Sequence, residues 1–373
     1  MYLSNLHLES FRNYQSLAIN CSKGINCFVG KNGSGKTNLL DAIHYLSMTK
    51  GSLNSVDSQN IRKGDPLFFI KGEWKAAKKG AGKGEQVQVA FQPGQKKLIK
   101  VNQKEYEKLA DHIGRFPVVL IAPNDTDLIR EGSDGRRKFF DSIISQLDAS
   151  YLENLMVYHQ YLKQRNSLLK QYGDTRRLDK TLLAVYDEHL MKSGQLIFDS
   201  RRDFTEKFEA LFSPRYQWLS GGAEQTKVVY VSELSETSWK ENFKKAIDKD
   251  MALQRTTFGI HRDDFEFLLE EEPVKKFGSQ GQQKSFVIAL KLAQFDITSQ
   301  VKSFAPILLL DDIFDKLDDD RIKKLMELVG EDDFGQLFVT DARPERTMTL
   351  FRDLKKDKKL FKVGEGKVEE IEF

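Results

Sequence analysis

The sequence has few cysteines and no long apolar run. Its two cysteines, Cys21 and Cys27, lie close together near the first predicted strands and do not form a disulfide framework. No stretch approaches the roughly 18 consecutive apolar residues of a membrane span, and the first residues lack the basic and then apolar layout of a signal peptide. We therefore expect a soluble cytoplasmic protein with no membrane partner.

The chain also has little net charge, no internal repeat and no long coiled coil. Its 58 basic and 55 acidic residues leave a formal charge of +3, so a nucleic-acid partner would have to be held by local basic patches. A length of 373 residues with 40% hydrophobic residues is typical of a globular protein with two domains.

Residues 30–37, GKNGSGKT, form a complete phosphate-binding loop between a predicted strand and a predicted helix. Lys36 is predicted to reach the β- and γ-phosphates and Thr37 to place its hydroxyl on Mg²⁺. A glycine-rich turn without function is the alternative, and the spacing and flanking elements disfavour it. The other residues of the loop are predicted to surround the phosphates of a nucleoside triphosphate: Gly30, Lys31, Asn32, Gly33, Ser34 and Gly35.

A second segment supplies carboxylates. The apolar strand predicted at Ile307–Leu310 ends in Asp311 and Asp312, and we predict that Asp311 binds Mg²⁺ while Asp312 polarises the attacking water. The alternative is that one of them caps the following helix, but Asp318 or Asp319 is better placed for that. The two segments together predict binding and hydrolysis of a nucleoside triphosphate.

The order of predicted elements places this site on a split α/β domain. Residues 1–125 and 255–373 are predicted to form the head, with strand-like segments that include Thr257–Ile260 and Phe265–Leu269. Residues 126–254 are predicted to form an inserted helical arm, whose helices end at about Phe212 and whose hairpin turn lies at 173–180.

A third element separates subclasses of triphosphatase. Residues 277–284, FGSQGQQK, place Ser279 and Gly281 at the start of an amphipathic helix about thirty residues before Asp311. A second segment, LSGG at 219–222, is closer in letters to a transporter signature. We interpret it as a surface turn, because a strand-like sequence follows it.

These features resemble the ATP-binding-cassette ATPases of the chromosome-maintenance group, and most closely the RecF family. The resemblance spans nearly the whole chain and implies an α/β fold, namely a P-loop ATP-binding-cassette ATPase head with an inserted helical arm domain. Four further segments carry it: SFRNY at 10–14, APNDTDLIREGSDGRRKFFD at 122–141, GIHRDD at 259–264 and DDIFDKLD at 311–318.

The resemblance implies an ATP-dependent homodimer in which Ser279 of one copy caps the γ-phosphate held by Lys36 of the other. It further implies that Arg12 contacts the nucleotide and that Asn124 lies in the loop that contacts metal and water. Asp315 and Asp318 would line the dimer seam. Thr340 stands where transporters carry a switch histidine and is predicted to sense the γ-phosphate through a weaker contact, which suggests slow hydrolysis. Ile260 replaces an expected proline.

The function implied by the resemblance is ATP-gated DNA binding in replication, recombination repair and the SOS response, with weak DNA-stimulated ATPase activity. The DNA would be double-stranded, gapped or a single-strand/double-strand junction, bound without sequence preference. The partners RecR and RecO would act in recombinase loading. A transporter-type ATPase and a nuclease-partner ATPase are the alternatives; the absent switch histidine argues against the first and the absent coiled coil against the second.

Two other groups of residues have competing interpretations. His261–Asp264 could be taken for a metal site, but on a strand these side chains would alternate between faces, so we predict an ion-pair network. Basic clusters could bind phosphates or simply face solvent, and the sequence does not say which of them touches DNA. The region from Lys75 to Lys100 is a predicted β-hairpin region suited to following phosphates, and binding is predicted to be directed at the DNA backbone. The clusters are Lys75/Lys78/Lys79/Lys83, Lys96/Lys97/Lys100, Arg136/Arg137/Lys138, Arg176/Arg177 and Arg201/Arg202.

Overall fold

The computed structural model describes residues 1–76, 84–222, 224–235, 238–331 and 334–373. The chain divides into two compact units, the first formed by Met1–Asp125 and Gln294–Phe373 and the second by Thr126–Ala293. No helix of the described residues is long and apolar enough to cross a membrane.

The described residues form strands and helices in mixed order. The strands are β1 (Tyr2–Phe11), β2 (Tyr14–Asn20), β3 (Ile25–Val29), β4 (Phe68–Lys75), β5 (Glu85–Phe91), β6 (Leu98–Val101), β7 (Lys104–Glu105), β8 (Val118–Ile121), β9 (Thr226–Val231), β10 (Asp264–Leu269), β11 (Glu272–Pro273), β12 (Ile307–Asp311), β13 (Leu337–Asp341), β14 (Lys358–Gly364) and β15 (Lys367–Ile371). The helices are α1 (Lys36–Met48), α2 (Asp127–Arg130), α3 (Ser133–Leu147), α4 (Ala149–Thr175), α5 (Lys180–Ser220), α6 (Trp239–Leu253), α7 (Val274–Phe277), α8 (Gln280–Lys302), α9 (Asp319–Gly330) and α10 (Pro344–Phe351).

The first unit contains a six-stranded sheet in the order β15-β14-β3-β13-β12-β8. Strands β14, β3, β13, β12 and β8 run parallel, and β15 pairs antiparallel at the edge. Every residue of β3, β12 and β13 is buried, which explains why these strands read as continuous apolar runs in the sequence. The carboxyl ends of β3 and β12 therefore bring the phosphate loop and the two aspartates to one edge.

A second sheet of the first unit is antiparallel, in the order β2-β1-β4-β5-β6-β7. Its strands alternate between buried and more exposed residues, as in β4, where Phe68, Ile70, Gly72 and Trp74 are buried. The buried face joins one apolar core with Leu39, Leu40, Ile43 and Leu46 of α1 and with the parallel sheet. This packing fixes α1, and therefore the loop that precedes it, in the first unit.

The second unit pairs the long helices α4 and α5 and contains a small sheet in the order β11-β10-β9. Residues 255–293, which the sequence assigned to the head, belong to this unit. The reason is that β10 pairs with β9 along six residues, from Asp264↔Val231 to Leu269↔Thr226. The hairpin turn predicted at 173–180 is confirmed, because α4 ends at Thr175 and α5 begins at Lys180.

Two local predictions in the second unit were wrong. Residues 257–260 form no strand, because side chains bind the backbone there: Thr257 N donates to Asp250 Oδ1 (2.8 Å), and Gly259 has a left-handed φ of 126°. Helix α5 also continues past Pro214 to Ser220. Its last turns bury Tyr216 and Leu219, so only the end of the LSGG segment, at Gly221 and Gly222, is a turn.

Candidate active site

The phosphate loop leaves the buried strand β3 and runs into α1. Gly35 occupies the N-cap of α1 with a left-handed φ of 109°, and a Cβ at this position would lie 2.4 Å from Asn13 Nδ2. No side chain in the described part of the chain caps the helix, so the first N–H groups of α1 remain available to an anion. The predicted glycine requirement therefore has a geometric basis at Gly35.

Lys36 lies beside the carboxylates of β12. Its side chain is 3% exposed, and its Nζ donates to Gly30 O (2.9 Å) and Lys31 O (3.2 Å). The same Nζ is 4.0 Å from Asp312 Oδ2. These contacts hold the ammonium group at the loop, where it can turn towards a phosphate group without moving far.

Two threonine hydroxyls meet at Asp311. Thr37 Oγ1 and Thr340 Oγ1 both donate to Asp311 Oδ1, at 2.9 and 2.7 Å. Burial raises the pKa of Asp311, and the hydrogen bonds from Thr340 and Thr37 oppose that shift. Thr37 and Asp311, which the sequence predicted as Mg²⁺ ligands, are thus in direct contact although 274 positions separate them.

Asp312 has a left-handed φ of 43°, and its N–H donates to Thr340 Oγ1 (2.9 Å). Burial raises the pKa of this carboxyl group too, whereas the Lys36 ammonium group lowers it. Its Oδ1 is buried without a hydrogen-bond partner among the described residues, as is Ser34 Oγ of the loop. Such unsatisfied oxygens beside carboxylates and a hydroxyl fit Mg²⁺, which prefers oxygen ligands.

Thr340 was predicted as a sensor of the γ-phosphate. It is fully buried at the carboxyl end of β13, where its hydroxyl connects Asp311 to the backbone of Asp312. The next residue, Asp341, is held by Arg346, whose Nε donates to Asp341 Oδ2 (3.0 Å) and whose Nη1 donates to Asp315 Oδ1 (2.7 Å). Arg346 therefore fixes the edge of the sheet next to Asp312. The sequence gave no reason to single out this residue.

The segment SFRNY contacts the loop through residues that the sequence did not assign a role. Asn13 Nδ2 donates to Ser34 O (3.3 Å), and Tyr14 Oη donates to Gly35 O (3.1 Å). Arg12 is turned towards α1, where its Nη2 donates to the buried Asp41 Oδ2 (3.0 Å), and its Nε is buried without a partner among the described residues. The resemblance of this segment to a known family was the only signal for it.

The structure places the other predicted residues as follows. Asn124 is exposed in the short 3₁₀ turn that follows β8, and β8 is the parallel neighbour of β12. Asp318 caps α9 by accepting from Arg321 N (3.0 Å), as the sequence predicted. Ser279 and Gly281 belong to the second compact unit, where Ser279 lies immediately before α8.

The segment His261–Asp264 forms the predicted network of polar contacts. The buried Arg201 binds Asp141 through two hydrogen bonds of 2.9 Å and approaches Asp263 Oδ2 at 3.3 Å. Arg136 binds Asp264 through two hydrogen bonds of 2.8 Å. The premise of alternating strand faces was wrong, because only Asp264 lies on a strand.

His261 has both ring nitrogens engaged in hydrogen bonds. Its Nε2 lies 3.2 Å from Thr256 O and must donate, so its Nδ1 accepts from Tyr158 Oη at 2.8 Å. Burial lowers the pKa of His261 from 6.5 to about 4. A neutral imidazole with both nitrogens occupied is a structural group rather than a metal ligand.

This imidazole makes stability depend on pH. Above pH 6.5, the pKa of this histidine in the unfolded chain, the ring is neutral in both the folded and the unfolded protein. As the pH falls from 6.5 towards about 4, the unfolded chain binds a proton at His261 that the folded chain does not. We expect the free energy of unfolding to fall by roughly 3 kcal/mol over this window through His261. This expectation can be tested by urea unfolding of the wild type and of His261→Gln at several pH values. The free energy of unfolding of the variant should decline less steeply as the pH falls. Parallel pH profiles would contradict the assignment.

The chain is similar to known proteins over nearly its whole length. Residues 2–363 match the RecF/RecN/SMC N terminal domain family. The chain is 45% identical to the DNA replication and repair protein RecF of Cytophaga hutchinsonii, over 99% of this chain and 97% of that protein. It is 45% identical to the corresponding RecF of Flavobacterium johnsoniae, over 97% and 99%.

Solved structures show the same fold. A structure of the recombination mediator protein RecF-ATP in the RecFOR pathway superimposes with a TM-score of 0.89 at 28% identity, covering 100% of this chain and 98% of that one. The Smc head domain of Pyrococcus furiosus, with an extended coiled coil and bound to the C-terminal domain of ScpA, gives a TM-score of 0.56 at 18% identity. It covers 99% of this chain and 96% of that one, and it supports the fold alone.

Proposed function

The chain belongs to the RecF family of DNA replication and repair proteins, and on this premise we propose that it is an ATP-driven DNA-binding protein of recombination repair. Two copies close on shared ATP, and the closed dimer binds gapped or junction DNA. Slow hydrolysis of ATP reopens the dimer. The protein acts in this way with RecR and RecO in loading a recombinase and in the SOS response.

The observation that carries the proposal is the group formed by Lys36, Asp311 and Asp312 at one sheet edge. Lys36 and the N–H groups of residues 30–35 bind the phosphates of ATP. Thr37 and Asp311 hold Mg²⁺, which neutralises phosphate charge when bound. Asp312, with one carboxylate oxygen unsatisfied, orients the attacking water. Asn124 completes the site on the metal side, and Arg12 completes it beside α1.

The proposed second copy supplies what this site lacks. Ser279 is exposed at the N-terminus of α8, where free N–H groups and the helix dipole favour an anion. We propose that Ser279 and Gly281 of one copy contact the γ-phosphate bound by the other copy, which makes closure depend on ATP. A RecF relative has been solved as RecF-ATP, which supports the choice of nucleotide.

We propose that hydrolysis is weak and stimulated by DNA. Thr340 offers a single hydroxyl group that already binds Asp311, whereas the two ring nitrogens of an imidazole could orient a phosphate and a water together. DNA binding would speed turnover by favouring the closed dimer, in which Ser279 completes the site.

The structure changes which basic residues can contact DNA. Arg201 is 1% exposed and bound to Asp141, so it is excluded as a residue that contacts DNA. Lys97 binds Asp57 (2.9 Å) and Thr49 O (2.7 Å), and Arg136 is bound to Asp264. Lys78, Lys79 and Lys83 lie outside the described residues. The predicted basic residues that remain exposed include Lys75, Lys96, Arg176 and Arg177.

Lys75 and Lys96 do not form one cluster. Lys75 ends β4 beside the start of β5, whereas Lys96 follows the far end of β5, where Phe91 pairs with Phe68. The seven residues of β5 separate the two positions by about 20 Å. We propose that such spaced cations contact phosphates several nucleotides apart along a duplex rather than a single site, which gives binding without sequence preference.

Self-association and DNA binding, each measured with and without Mg-ATP, test the proposed function. Sedimentation should show a monomer without nucleotide and a dimer with Mg-ATP. Affinity for gapped duplex should rise about tenfold or more with Mg-ATP and should fall steeply between about 50 and about 200 mM salt. A chain that remains monomeric at saturating Mg-ATP, or binds DNA equally with and without it, would contradict the proposal.

A further inference from the structure

We propose that Glu224 is a positioning residue for Ser279, and that it acts through the amide of Gln282. The proposal rests on the ATP-dependent dimer described above, in which Ser279 contacts the γ-phosphate of the second copy. Glu224 comes just after the LSGG segment at 219–222, which the proposed function leaves without a role. All of these residues belong to the second compact unit.

Ser279 and Gln282 form a reciprocal cap at the start of α8. Ser279 N donates to Gln282 Oε1 (2.6 Å), and Gln282 N donates to Ser279 Oγ (3.2 Å). This is the capping box of a serine and a glutamine three residues later. Because Ser279 Oγ accepts here and donates to none of the described residues, its hydroxyl proton is directed by whatever acceptor approaches from outside.

Glu224 decides which way the Gln282 amide faces. Gln282 Nε2 donates to Glu224 Oε1 (2.6 Å), which leaves Gln282 Oε1 to accept from Ser279 N. The flipped amide would point its oxygen at the carboxylate and its N–H₂ group at a backbone N–H, so both contacts would be repulsive. The negative charge of Glu224 therefore selects the one amide orientation that caps Ser279.

Glu224 is itself held by the end of the long helix α5. Tyr216 Oη donates to Glu224 Oε2 (2.5 Å), and the Tyr216 ring is fully buried. That ring packs against Phe286 of α8, with 5.8 Å between ring centroids. The carboxylate thus connects α5 to the first turn of α8 through two short hydrogen bonds, and loss of the bond to Gln282 frees its amide to rotate.

The test compares Glu224→Ala with Glu224→Gln. The alanine variant should need about tenfold more protein for half-maximal dimerisation in Mg-ATP, which is the effect of one lost hydrogen bond to a charged group. Nucleotide binding by the single protomer should change by less than about twofold. The glutamine variant keeps an oxygen that can accept from Gln282 Nε2 and should restore most of the dimerisation. The exposed Glu188 on α5 gives the matched control, Glu188→Ala, with no expected effect.

Mixing experiments assign the residue to one side of the dimer interface. In a mixture of Glu224→Ala and Lys36→Ala protomers, one mixed site combines an intact phosphate loop with an intact Ser279 side, so ATP turnover should return. In a mixture of Glu224→Ala and Ser279→Ala protomers, both mixed sites are impaired, so turnover should stay low. The reverse pattern would place Glu224 on the phosphate-loop side and overturn the inference.

The mixture of Lys36→Ala and Ser279→Ala protomers separates this inference from the proposed function. If that mixture regains no turnover, the shared-site dimer itself is wrong. If it does regain turnover while Glu224→Ala dimerises like the wild type, the dimer stands and the role of Glu224 is refuted. A Glu224→Ala protein that also loses nucleotide binding and melts at lower temperature, without rescue by glutamine, shows a purely structural role and likewise refutes it.

Discussion

Replacing Lys36 with alanine is expected to abolish ATP-dependent DNA binding. The Lys36 ammonium group is buried at the loop and lies 4.0 Å from Asp312 Oδ2. Without it, the phosphates of ATP would lose the attraction of this ammonium group, while the charge of Asp312 would remain nearby. The variant would lose the two charge-assisted hydrogen bonds that Lys36 is predicted to make with the β- and γ-phosphates. Each is worth about 1.5–3 kcal/mol, so we expect ATP affinity to fall about 100-fold or more.

The measurement is nucleotide binding by calorimetry, followed by DNA binding with and without Mg-ATP. Lys31→Ala is the matched control, because Lys31 belongs to the same loop and its side chain is exposed. Its proposed contribution to phosphate binding comes from the backbone, so ATP affinity should change by no more than about threefold. If Lys36→Ala kept ATP-dependent DNA binding, the loop would not be the site that controls DNA affinity.

Replacing Ser279 with alanine is expected to separate ATP binding from dimerisation. Ser279 lies outside the unit that contains the phosphate loop, so a single protomer should bind ATP within about twofold of the wild type. Removal of a donor aimed at a transferring phosphoryl group costs about 100-fold or more in turnover. We therefore expect loss of ATP-driven dimerisation and of hydrolysis together.

A threonine at position 279 provides the control for helix capping. Ser279→Ala also removes the cap of α8, which costs about 1 kcal/mol of stability, whereas Ser279→Thr retains a hydroxyl group at the same place. Sedimentation in Mg-ATP and steady-state turnover should show the threonine variant close to the wild type and the alanine variant monomeric. Normal dimerisation of Ser279→Ala with ATP would refute the shared site.

The placement of the loop and the two aspartates at one sheet edge could be predicted from the sequence because these residues follow buried strands. The apolar runs before Gly30 and before Asp311 identify β3 and β12, and parallel strands bring their carboxyl ends to one edge. The hydrogen bond of 2.9 Å between Thr37 and Asp311, 274 positions apart, agrees with that rule. Asn13 and Tyr14 could not be assigned in the same way, because their contacts with the loop depend on how a separate antiparallel sheet packs on α1.

Charge patterns in the sequence predicted the environment of side chains less reliably than apolar patterns did. Adjacent basic residues read as one cluster in the sequence, yet Arg201 is buried against Asp141 while Arg202 binds Asp199 and Asp203 at the surface. On a helix, neighbouring positions point about 100° apart, so two arginines in sequence can have opposite environments. A buried arginine also needs an acidic partner, and that partner, Asp141, is 60 positions away.

The sequence by itself determined the phosphate loop, the carboxylate strand and the helical hairpin, because each depends on local spacing or on an apolar run of fixed period. Only the tertiary structure decided that residues 255–293 join the second unit, that Thr340 bridges Asp311 and Asp312, and that Glu224 orients Gln282. Those outcomes depend on strand pairing and on single hydrogen bonds between distant side chains, which are set when the elements pack and leave no periodic trace in the chain.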